Sequence, residues 1–181
     1  MNSLRIYRFR KIIVRAQTNR GNTVLLGEEH WLGLDHIFKL TNRYDVKTQL
    51  KIILERFSGE TETLLYDDFS LEDQEKYKLR FGDFHGKEDL DNLMMLNGVG
   101  FSTKDHDNDW KVNEHCGLNF GPWWHRECNT NINGENLGPD SNGMGIINKY
   151  SLHWHSFGKA LESLKSVKMA IRPLPRRKVY A

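Results

Sequence analysis

Residues 101–109 read FSTKDHDND, and this short stretch does more than any other to decide the fold. Its alternating acidic residues place several oxygen atoms around one point of an irregular loop, as a hard cation such as Ca²⁺ requires. An EF-hand is excluded because the sixth position from Asp105 is Trp110 instead of glycine and the twelfth is Cys116 instead of glutamate. The acidic residues alone are equally typical of a solvated turn, so calcium binding is one of two interpretations.

The two cysteines of the chain, Cys116 and Cys128, follow this stretch with eleven residues between them. Such a pair can form a disulfide, contribute half of a metal site, or consist of two unrelated thiols. Zinc sites favour shorter cysteine spacings with closely placed histidine partners, and these are absent. A disulfide that closes a short loop is therefore the favoured interpretation, and it implies an oxidising compartment.

Residues 101–109 resemble the FSTxDxDND signature of the fibrinogen-related domains. In that family a Gly-x-Trp-Trp motif lies between two bonded cysteines, and here Gly121-Pro122-Trp123-Trp124 lies between Cys116 and Cys128. Further matches follow the family order from about Leu26 to Pro173. They are Glu28-Glu29-His30-Trp31-Leu32-Gly33-Leu34, Asn131-Ile132-Asn133-Gly134, Ser163-Leu164-Lys165 and Met169-Ala170-Ile171-Arg172-Pro173. Long motifs in a fixed order do not arise by chance.

The resemblance implies an α+β fold with a twisted, mainly antiparallel sheet, short helices and a loop-built subdomain that holds calcium and ligand. It also implies that Cys116 and Cys128 form a disulfide. Within the family the sequence looks closest to the arthropod tachylectin-like and ficolin-like members. These are secreted lectins that recognise acetylated sugars on microbial surfaces.

The resemblance assigns calcium ligands to four positions of this sequence. The second and third aspartates of the signature, Asp107 and Asp109, match the family's side-chain ligands. The backbone carbonyls two and four residues later belong to Lys111 and Asn113. The segment that ends at Cys116 is one residue longer than usual, which affects the two carbonyl positions and leaves the two carboxylates unchanged. Asp105 is interpreted as a turn-forming residue bonded to nearby amides.

The family's acetyl-binding pocket is less well preserved in this sequence. Its tyrosine before the Trp-Trp pair, its histidine after the second cysteine and its later Tyr-Ala pair correspond to Phe120, Asn129 and roughly Asn142-Gly143. An acetyl group needs an apolar cup for its methyl and a polar contact for its carbonyl or amide, and Phe120 can supply one wall. Trp124 is also a candidate ligand residue, although packing of Trp123 and Trp124 inside the loop-built subdomain is favoured over stacking on a sugar.

Hydrophobic periodicity predicts the regular elements around these motifs. Two short helices are expected, at 35–41 with Asp35 as N-cap and at 86–95. Alternating apolar residues predict strands at 46–56, 62–69, 77–84 and 165–172, the last inserted centrally in the sheet. The stretch at 98–167 is rich in Asp, Asn, Gly and Trp and carries almost no regular signal, which is typical of a functional loop region.

The sequence is expected to form one domain flanked by two basic segments. Its 181 residues suffice for one domain with its own core. We assign 1–23 to an atypical basic N-terminal segment, 24–173 to a partial fibrinogen-like domain and 174–181 to a basic tail. Family members usually open with another cysteine pair and a WTVIQRR-like strand, of which residues 12–17 are a faint echo. Either the sequence is a partial product or gene model, which is the favoured explanation for this difference, or residues 1–23 replace the missing strands.

Composition narrows the function classes. The formal net charge of +2 gives no support for a nucleic-acid partner, and no apolar run approaches the roughly 20 residues that span a bilayer. No nucleophile–base pair, phosphate loop or open zinc site is evident, so an enzyme is not expected. His125, His153 and His155 have no carboxylate at a diagnostic spacing and are interpreted as surface or hydrogen-bonded histidines.

Two hypotheses about function follow. The leading one is a secreted, extracellular, calcium-stabilised lectin of innate immunity that binds acetylated carbohydrates. The alternative is a protein-binding module of the same fold, in which the sugar pocket is degraded. Family members often assemble through an N-terminal coiled coil or collagen stem that this sequence lacks, so the sequence does not define the oligomeric state.

Overall fold

The computed structural model describes residues 10–16 and 30–175, and these residues form eight strands, two α-helices and two short 3-10 helices. The strands are β1 (Arg10–Ala16), β2 (His30–Trp31), β3 (Val46–Glu55), β4 (Thr61–Tyr66), β5 (Ser70–Glu72), β6 (Lys78–Arg80), β7 (Phe84–His85) and β8 (Ser166–Pro175). The α-helices are α1 (Leu34–Thr41) and α2 (Cys116–Phe120), and the 3-10 helices are Glu88–Leu90 and Met94–Leu96. The start of the matched region near Leu26 and the tail beyond residue 175 lie outside the described residues.

Six strands form one antiparallel sheet in the order β2-β1-β8-β3-β4-β7. Strand β8 lies between β1 and β3, so the prediction of a final strand inserted centrally is confirmed. It pairs with β3 from Val46↔Pro175 to Glu55↔Ser166. Strand β1, which falls in the segment assigned as atypical, pairs with the other edge of β8 from Arg10↔Ile171 to Ala16↔Ser166. The sheet therefore extends into that segment.

The alternation of apolar residues along β3 explains why this strand forms. Leu50, Ile52 and Leu54 all point to one face because successive side chains of a strand alternate, and all three are fully buried. The register sets them opposite the buried residues of the neighbouring strands, namely Val167, Met169 and Ile171 of β8 and Leu64 and Tyr66 of β4. Each such aliphatic side chain stabilises the fold by about 1.5–3 kcal/mol. The predicted strands at 46–56 and 165–172 are confirmed.

The first helix is confirmed, but its predicted N-cap is wrong. The helix begins at Leu34, and Gly33 occupies the N-cap position with φ of 89° and no side-chain cap. Asp35 lies in the first turn, where its carboxylate accepts a hydrogen bond from the Tyr77 hydroxyl at 2.6 Å. This bond, followed by one from Gln74, lowers the pKa of Asp35. The long-range partner explains why Asp35 does not cap its own helix.

Three other predicted elements are shorter than expected. The strand predicted at 62–69 ends at Tyr66 with β4, because a turn follows in which Asp68 adopts φ of 53°, a left-handed conformation, and β5 begins only at Ser70. Of the strand predicted at 77–84, β6 keeps only Lys78–Arg80. The helix predicted at 86–95 consists of two 3-10 helices, because the Asp91 carboxylate accepts from the N–H of Met94 and starts a new turn.

Residues 97–165, which we call the loop region, contain α2 and five isolated β-bridges. This confirms the prediction of a long stretch with little regular structure. Apolar side chains of the loop region join those of the sheet in one hydrophobic core, among them Phe101, Trp123, Trp124, Ile132, Leu152, Trp154 and Leu164. A buried ion pair between Arg56 and Glu162 also links the two parts, with 2.9 Å between Nη2 and Oε2. Among the described residues, no helix has the length and apolar character to cross a membrane.

Candidate calcium and ligand site

Residues 101–109, which we call the acidic loop, contain a tight turn at residues 103–106. The N–H of Thr103 donates to the carbonyl of His106 at 2.9 Å, and the Thr103 hydroxyl donates to Oδ1 of Asp105 at 2.7 Å. This hydroxyl contact is the main reason that the pKa of Asp105 lies below its usual value. Asp105 therefore acts inside the turn as a turn-forming residue, although its main partner is a hydroxyl group and not the expected amides.

Asp107 and Asp109 lie side by side and have different environments. The N–H of Asp109 donates to Oδ1 of Asp107 at 3.2 Å. The Asp109 carboxylate accepts from the N–H of Lys111 at 2.9 Å and from the N–H of Cys116 at 2.8 Å. Burial, and after it the adjacent Asp107 carboxylate, raises the pKa of Asp109. A cation between the two carboxylates would counteract this rise, because it favours their charged forms.

The two predicted carbonyl ligands lie in the segment that follows. Within the described residues, neither the Lys111 carbonyl nor the Asn113 carbonyl accepts a backbone hydrogen bond. Asn113 has φ of 68°, which turns the backbone sharply before α2. The ammonium group of Lys111 is held by Glu114 at 2.7 Å. Both carbonyl oxygens thus have coordination capacity left.

These oxygens fit the preference of calcium for hard donors. Ca²⁺ takes six to eight oxygen ligands from carboxylates, backbone carbonyls and water. Within residues 10–16 and 30–175 no three His, Cys, Asp or Glu side chains converge on a metal position. A site here therefore depends on two carboxylates together with carbonyls and water, and the residues present are compatible with that composition.

Cys116 and Cys128 form a disulfide with a Cα–Cα distance of 5.4 Å, as expected. The bond joins the first residue of α2 to the segment that follows the Trp-Trp pair. Gly117 is required beside it, since a Cβ at this position would lie 2.8 Å from the Thr103 carbonyl oxygen. Helix α2 therefore packs directly on the backbone of the acidic loop, and the disulfide extends this contact to the segment after Cys128.

Trp123 and Trp124 fill the interior of the loop region. Their exposed fractions are 0% and 1%, and their ring centroids lie 4.9 Å apart with the rings nearly perpendicular. Trp124 packs on Phe101 at 4.8 Å, and its indole N–H donates to the Tyr77 carbonyl at 2.7 Å. Trp123 exchanges two backbone hydrogen bonds with Ser102. Packing was the favoured interpretation of this pair, and the burial agrees with it.

The five residues predicted to line a ligand pocket do not line one cavity. Trp124 and Asn129 share one cavity, Phe120 borders a second, and Asn142 borders a third. Gly143 lies in an exposed turn closed by Asp140, whose carbonyl accepts from the Gly143 N–H and whose carboxylate accepts from the Asn142 N–H. Of the five predicted residues, Trp124 and Asn129 are therefore the two that one of these cavities brings together.

The cavity shared by Trp124 and Asn129, which we call the Trp124 cavity, has a volume of about 200 Å³. Met95, Leu96 and Trp124 supply apolar surface. The polar groups around them belong to Asp91, Asn92, Arg126, Glu127, Asn129, Thr130 and His155. The Trp124 cavity therefore combines an apolar wall with hydrogen-bonding groups, which is the usual composition of a small-ligand site.

The second cavity lies beside Phe120 and has a volume of about 310 Å³. Tyr150 packs on Phe120 with ring centroids 5.6 Å apart, and the Lys149 ammonium lies 5.5 Å and 5.1 Å from the two rings. Lys149 thus covers the aromatic surface by a cation–π contact. This arrangement makes the Phe120 wall less accessible to a ligand than the sequence suggested.

The three histidines have different environments. His125 is 1% exposed, its Nε2 lies 2.8 Å from the Gly121 carbonyl, and burial lowers its pKa to about 4. His153 is fully buried between the carbonyls of Ser151 and Asn129, and burial lowers its pKa as well. His155 is exposed and borders the Trp124 cavity. His153 and His155 agree with their interpretation, whereas Nδ1 of His125 has no hydrogen-bond partner among the described residues.

Sequence reasoning missed the wall of the Trp124 cavity that comes from residues 91–96. Leu96 packs into the core, and Met94 and Met95 are 70% and 60% exposed. Two adjacent methionines at the end of the helix predicted at 86–95 were a signal, because exposed large apolar side chains and methionines are often at binding surfaces. The Lys149–Tyr150 pair had no comparable signal.

The sequence matches the family described as fibrinogen beta and gamma chains, C-terminal globular domain, over residues 14–174. It is 38% identical over 159 residues to tenascin-R of Gallus gallus, and the match covers 85% of this chain and 11% of that protein. It is 43% identical over 111 residues to Ryncolin-4 of Cerberus rynchops, with coverage of 60% and 31%. The protein thus spans only a minor part of these relatives.

The fold is similar to the solved fibrinogen-like globe domain of human ANGPTL6. The TM-score is 0.76 at 30% sequence identity, and the match covers 92% of this chain and 78% of that domain. These relatives support the family as a whole and do not single out the tachylectin-like and ficolin-like members.

Proposed function

Because the protein belongs to the family of fibrinogen-type C-terminal globular domains, we propose that it is an extracellular, calcium-stabilised recognition domain that binds acetylated carbohydrates in the Trp124 cavity. It acts by binding and not by catalysis. The observation that carries the proposal is the composition of the Trp124 cavity, an apolar wall beside amide and hydroxyl groups.

The size of the Trp124 cavity favours one small substituent over a whole ligand. Pockets for drug-sized molecules measure about 300–1,000 Å³. The Trp124 cavity, at about 200 Å³, is suited to an acetamido group. Met95, Leu96 and Trp124 would surround its methyl, and Asn129 and Thr130 would offer hydrogen bonds to its carbonyl and amide. The sugar ring would then remain at the surface.

Calcium supports this cavity through two physical connections. The Asp109 carboxylate accepts a hydrogen bond from the backbone N–H of Cys116. Cys116 is bonded to Cys128, and Cys128 is the residue directly before Asn129. Trp110 directly follows the acidic loop, and its backbone N–H donates to the Arg126 carbonyl at 3.2 Å. The Arg126 guanidinium lies 5.1 Å from the centre of the Trp110 ring. A bound Ca²⁺ supplies the positive charge that the Asp107–Asp109 pair requires. Ordering of the acidic loop therefore also orders one wall of the cavity.

Binding to N-acetylglucosamine and to glucose, measured with calcium and with a chelator, tests the proposal. We expect the acetylated sugar to bind in calcium and glucose to bind much more weakly. Asn129→Ala should weaken binding about tenfold, as expected for the loss of one hydrogen bond. Asn142→Ala is the matched control because Asn142 borders a different cavity. Equal binding of both sugars, or equal loss in both variants, contradicts the proposal.

The calcium part has its own measurement. Calcium at a hundred times its dissociation constant should raise the free energy of unfolding by about 2.7 kcal/mol, because it binds only the folded protein. Asp107→Asn should remove most of this increase while changing the calcium-free protein little. An unchanged calcium response in this variant would exclude Asp107 as a ligand.

A protein ligand is the second candidate function. Two observations favour it: Met94, Met95 and Trp110 are exposed, and the carboxylates of Asp91 and Glu127 lie at the Trp124 cavity. An exposed apolar surface with nearby carboxylates suits a basic, apolar segment of a partner. Absence of acetyl-sugar binding, together with binding of basic peptides that Glu127→Gln weakens, would favour this function over the first.

A further inference from the structure

The 3-10 helix Met94–Leu96 presents two adjacent methionines to solvent in different settings. Leu96 is only 6% exposed and holds the segment in the core, whereas Met94 and Met95 are 70% and 60% exposed. Met95 borders the Trp124 cavity and Met94 does not. Met169, by contrast, is 1% exposed in the middle of the sheet. The protein therefore has one exposed methionine at its candidate ligand site and a neighbour away from it.

Exposed thioethers are open to oxidation. A peroxide transfers one oxygen atom to the methionine sulfur, so that the sulfur loses two electrons to form the sulfoxide and hydrogen peroxide is reduced to water. The product is polar and accepts hydrogen bonds, whereas the thioether is apolar. At Met95 this change replaces part of the apolar wall of the Trp124 cavity with an oxygen acceptor.

We propose that Met95 is a peroxide-sensitive modification site whose oxidation reduces binding of apolar groups in the Trp124 cavity. For the ligand class this inference rests on the proposed function. Oxidants of the peroxide class are the co-reactant, and Met94 is oxidised as well without effect on the cavity.

The contacts of the segment allow oxidation without unfolding. The Met94 N–H donates to the Asp91 carboxylate at 3.1 Å, and the Leu96 N–H donates to the Leu93 carbonyl at 2.7 Å. The Tyr66 hydroxyl holds the same Asp91 carboxylate at 2.9 Å. None of these bonds involves the Met95 side chain. The sulfoxide therefore alters the surface of the cavity and leaves the position of its backbone unchanged.

The first experiment treats the 181-residue protein with hydrogen peroxide and follows each methionine by peptide mass spectrometry. We expect Met94 and Met95 to be oxidised at least about tenfold faster than Met169, because oxidation rate follows exposure. Circular dichroism should remain unchanged. Oxidation of Met95 at the rate of Met169, or unfolding in step with Met95 oxidation, would overturn the proposal.

The second experiment compares Met95→Leu with Met94→Leu, which are matched in sequence position, exposure and volume change. After peroxide treatment, the wild type and Met94→Leu should bind N-acetylglucosamine about fivefold more weakly, as expected for the loss of one or two buried methylene contacts. Met95→Leu should keep its affinity. Equal loss in both variants would overturn the proposal.

A ligand-independent measurement separates this inference from the proposed function. The fluorescent probe 8-anilinonaphthalene-1-sulfonate binds exposed apolar surface and does not require an acetyl site. If N-acetylglucosamine fails to bind, the proposed function fails; a peroxide-induced loss of probe binding in wild type but not in Met95→Leu still supports the role of Met95. Unchanged probe and sugar binding after complete Met95 oxidation rejects it.

Discussion

The main sheet and the loop region satisfy their buried polar groups in different ways. In the sheet, backbone ladders such as β3–β8 pair the N–H and carbonyl groups, and the side chains on its inner face are almost all apolar. In the loop region, side chains share this role with irregular backbone hydrogen bonds. Its buried polar residues are Ser102, His125, Thr130, Asn131, Asn133, Ser151, His153, Glu162 and Ser163. Asn131, for example, donates to the Phe120 carbonyl and accepts from the Asn133 N–H.

This difference determines how each region responds to change. An apolar face tolerates exchange of similar side chains, because burial depends mainly on area and volume. A polar side chain that holds a specific backbone group has no such substitute, and its removal leaves a buried group without a partner. We therefore expect the loop region to be more sensitive to conservative substitution, while sharing one core with the sheet.

The largest loss of stability is expected at the ion pair that links the sheet to the loop region. Glu162 in the loop region is 1% exposed in its side chain and is held by Arg56, which follows β3. Arg56→Met leaves this buried carboxylate unpaired and should lower the free energy of unfolding by about 4 kcal/mol in urea denaturation.

The matched control for this change is Arg80→Met. Arg80 pairs with Glu72 at 2.8 Å on the surface, where both side chains are nearly half exposed. Such an exposed pair contributes about 0–1 kcal/mol. If the two variants lost the same stability, the ion pair between the sheet and the loop region would contribute no more than an exposed pair, and the prediction would be wrong.

The next effect is expected to be confined to the loop region. Replacing both Cys116 and Cys128 by serine removes a short covalent loop and should lower stability by about 3 kcal/mol in the chain-entropy estimate. Hydrogen exchange should accelerate at residues 97–165 before it accelerates in β3 and β8. Simultaneous acceleration in both regions would show that the two do not open separately.

The same division explains what the sequence could predict. Strands β3 and β8 were predicted because their buried residues repeat every second position, a pattern that one strand displays by itself. The Asp107–Asp109 pair and the disulfide were predicted through motifs of fixed spacing. The early end of the strand predicted at 62–69 was not predicted, since it depends on the left-handed conformation of Asp68.

The Trp124 cavity was predicted only in part, through Trp124 and Asn129, for a different reason. The Trp124 cavity forms where the Asp91–Leu96 segment meets the backbone around Asn129, far away in sequence. No periodicity or local motif encodes such a contact. Phe120 and Asn142 were assigned as ligand residues by their order in the motifs, and they border two other cavities.

A smaller effect is the change of stability with pH, which we expect to arise from a buried histidine of the loop region. Burial lowers the pKa of His125 to about 4, compared with about 6.5 in an unfolded protein. Between these values the unfolded state binds a proton that the folded state does not. Stability is therefore complete above pH 6.5 and falls as the pH decreases towards 4, by about 2 kcal/mol from pH 7 to pH 5.

Urea denaturation at several pH values measures this slope. His125→Gln should reduce it, and His153, whose pKa burial also lowers, should account for part of the remainder. His155→Gln is the matched substitution at an exposed histidine. A slope that is the same in His125→Gln and wild type would contradict the assignment to His125.

The smallest loss of stability is expected where a single hydrogen bond connects the sheet to the Trp124 cavity. Burial, and after it the neighbouring Asp91 carboxylate, raises the pKa of Tyr66, so its hydroxyl remains a donor to Asp91 at 2.9 Å. Tyr66→Phe keeps the buried ring and removes this bond. Water can reach the half-buried Asp91, so the cost should be only about 1 kcal/mol. Tyr44→Phe, at a residue that is 88% exposed, should cost nothing measurable by urea denaturation. A loss well above that of one hydrogen bond would mean that Asp91 positions the whole Met94–Leu96 segment, and that the sheet determines the shape of the cavity as well as supporting it.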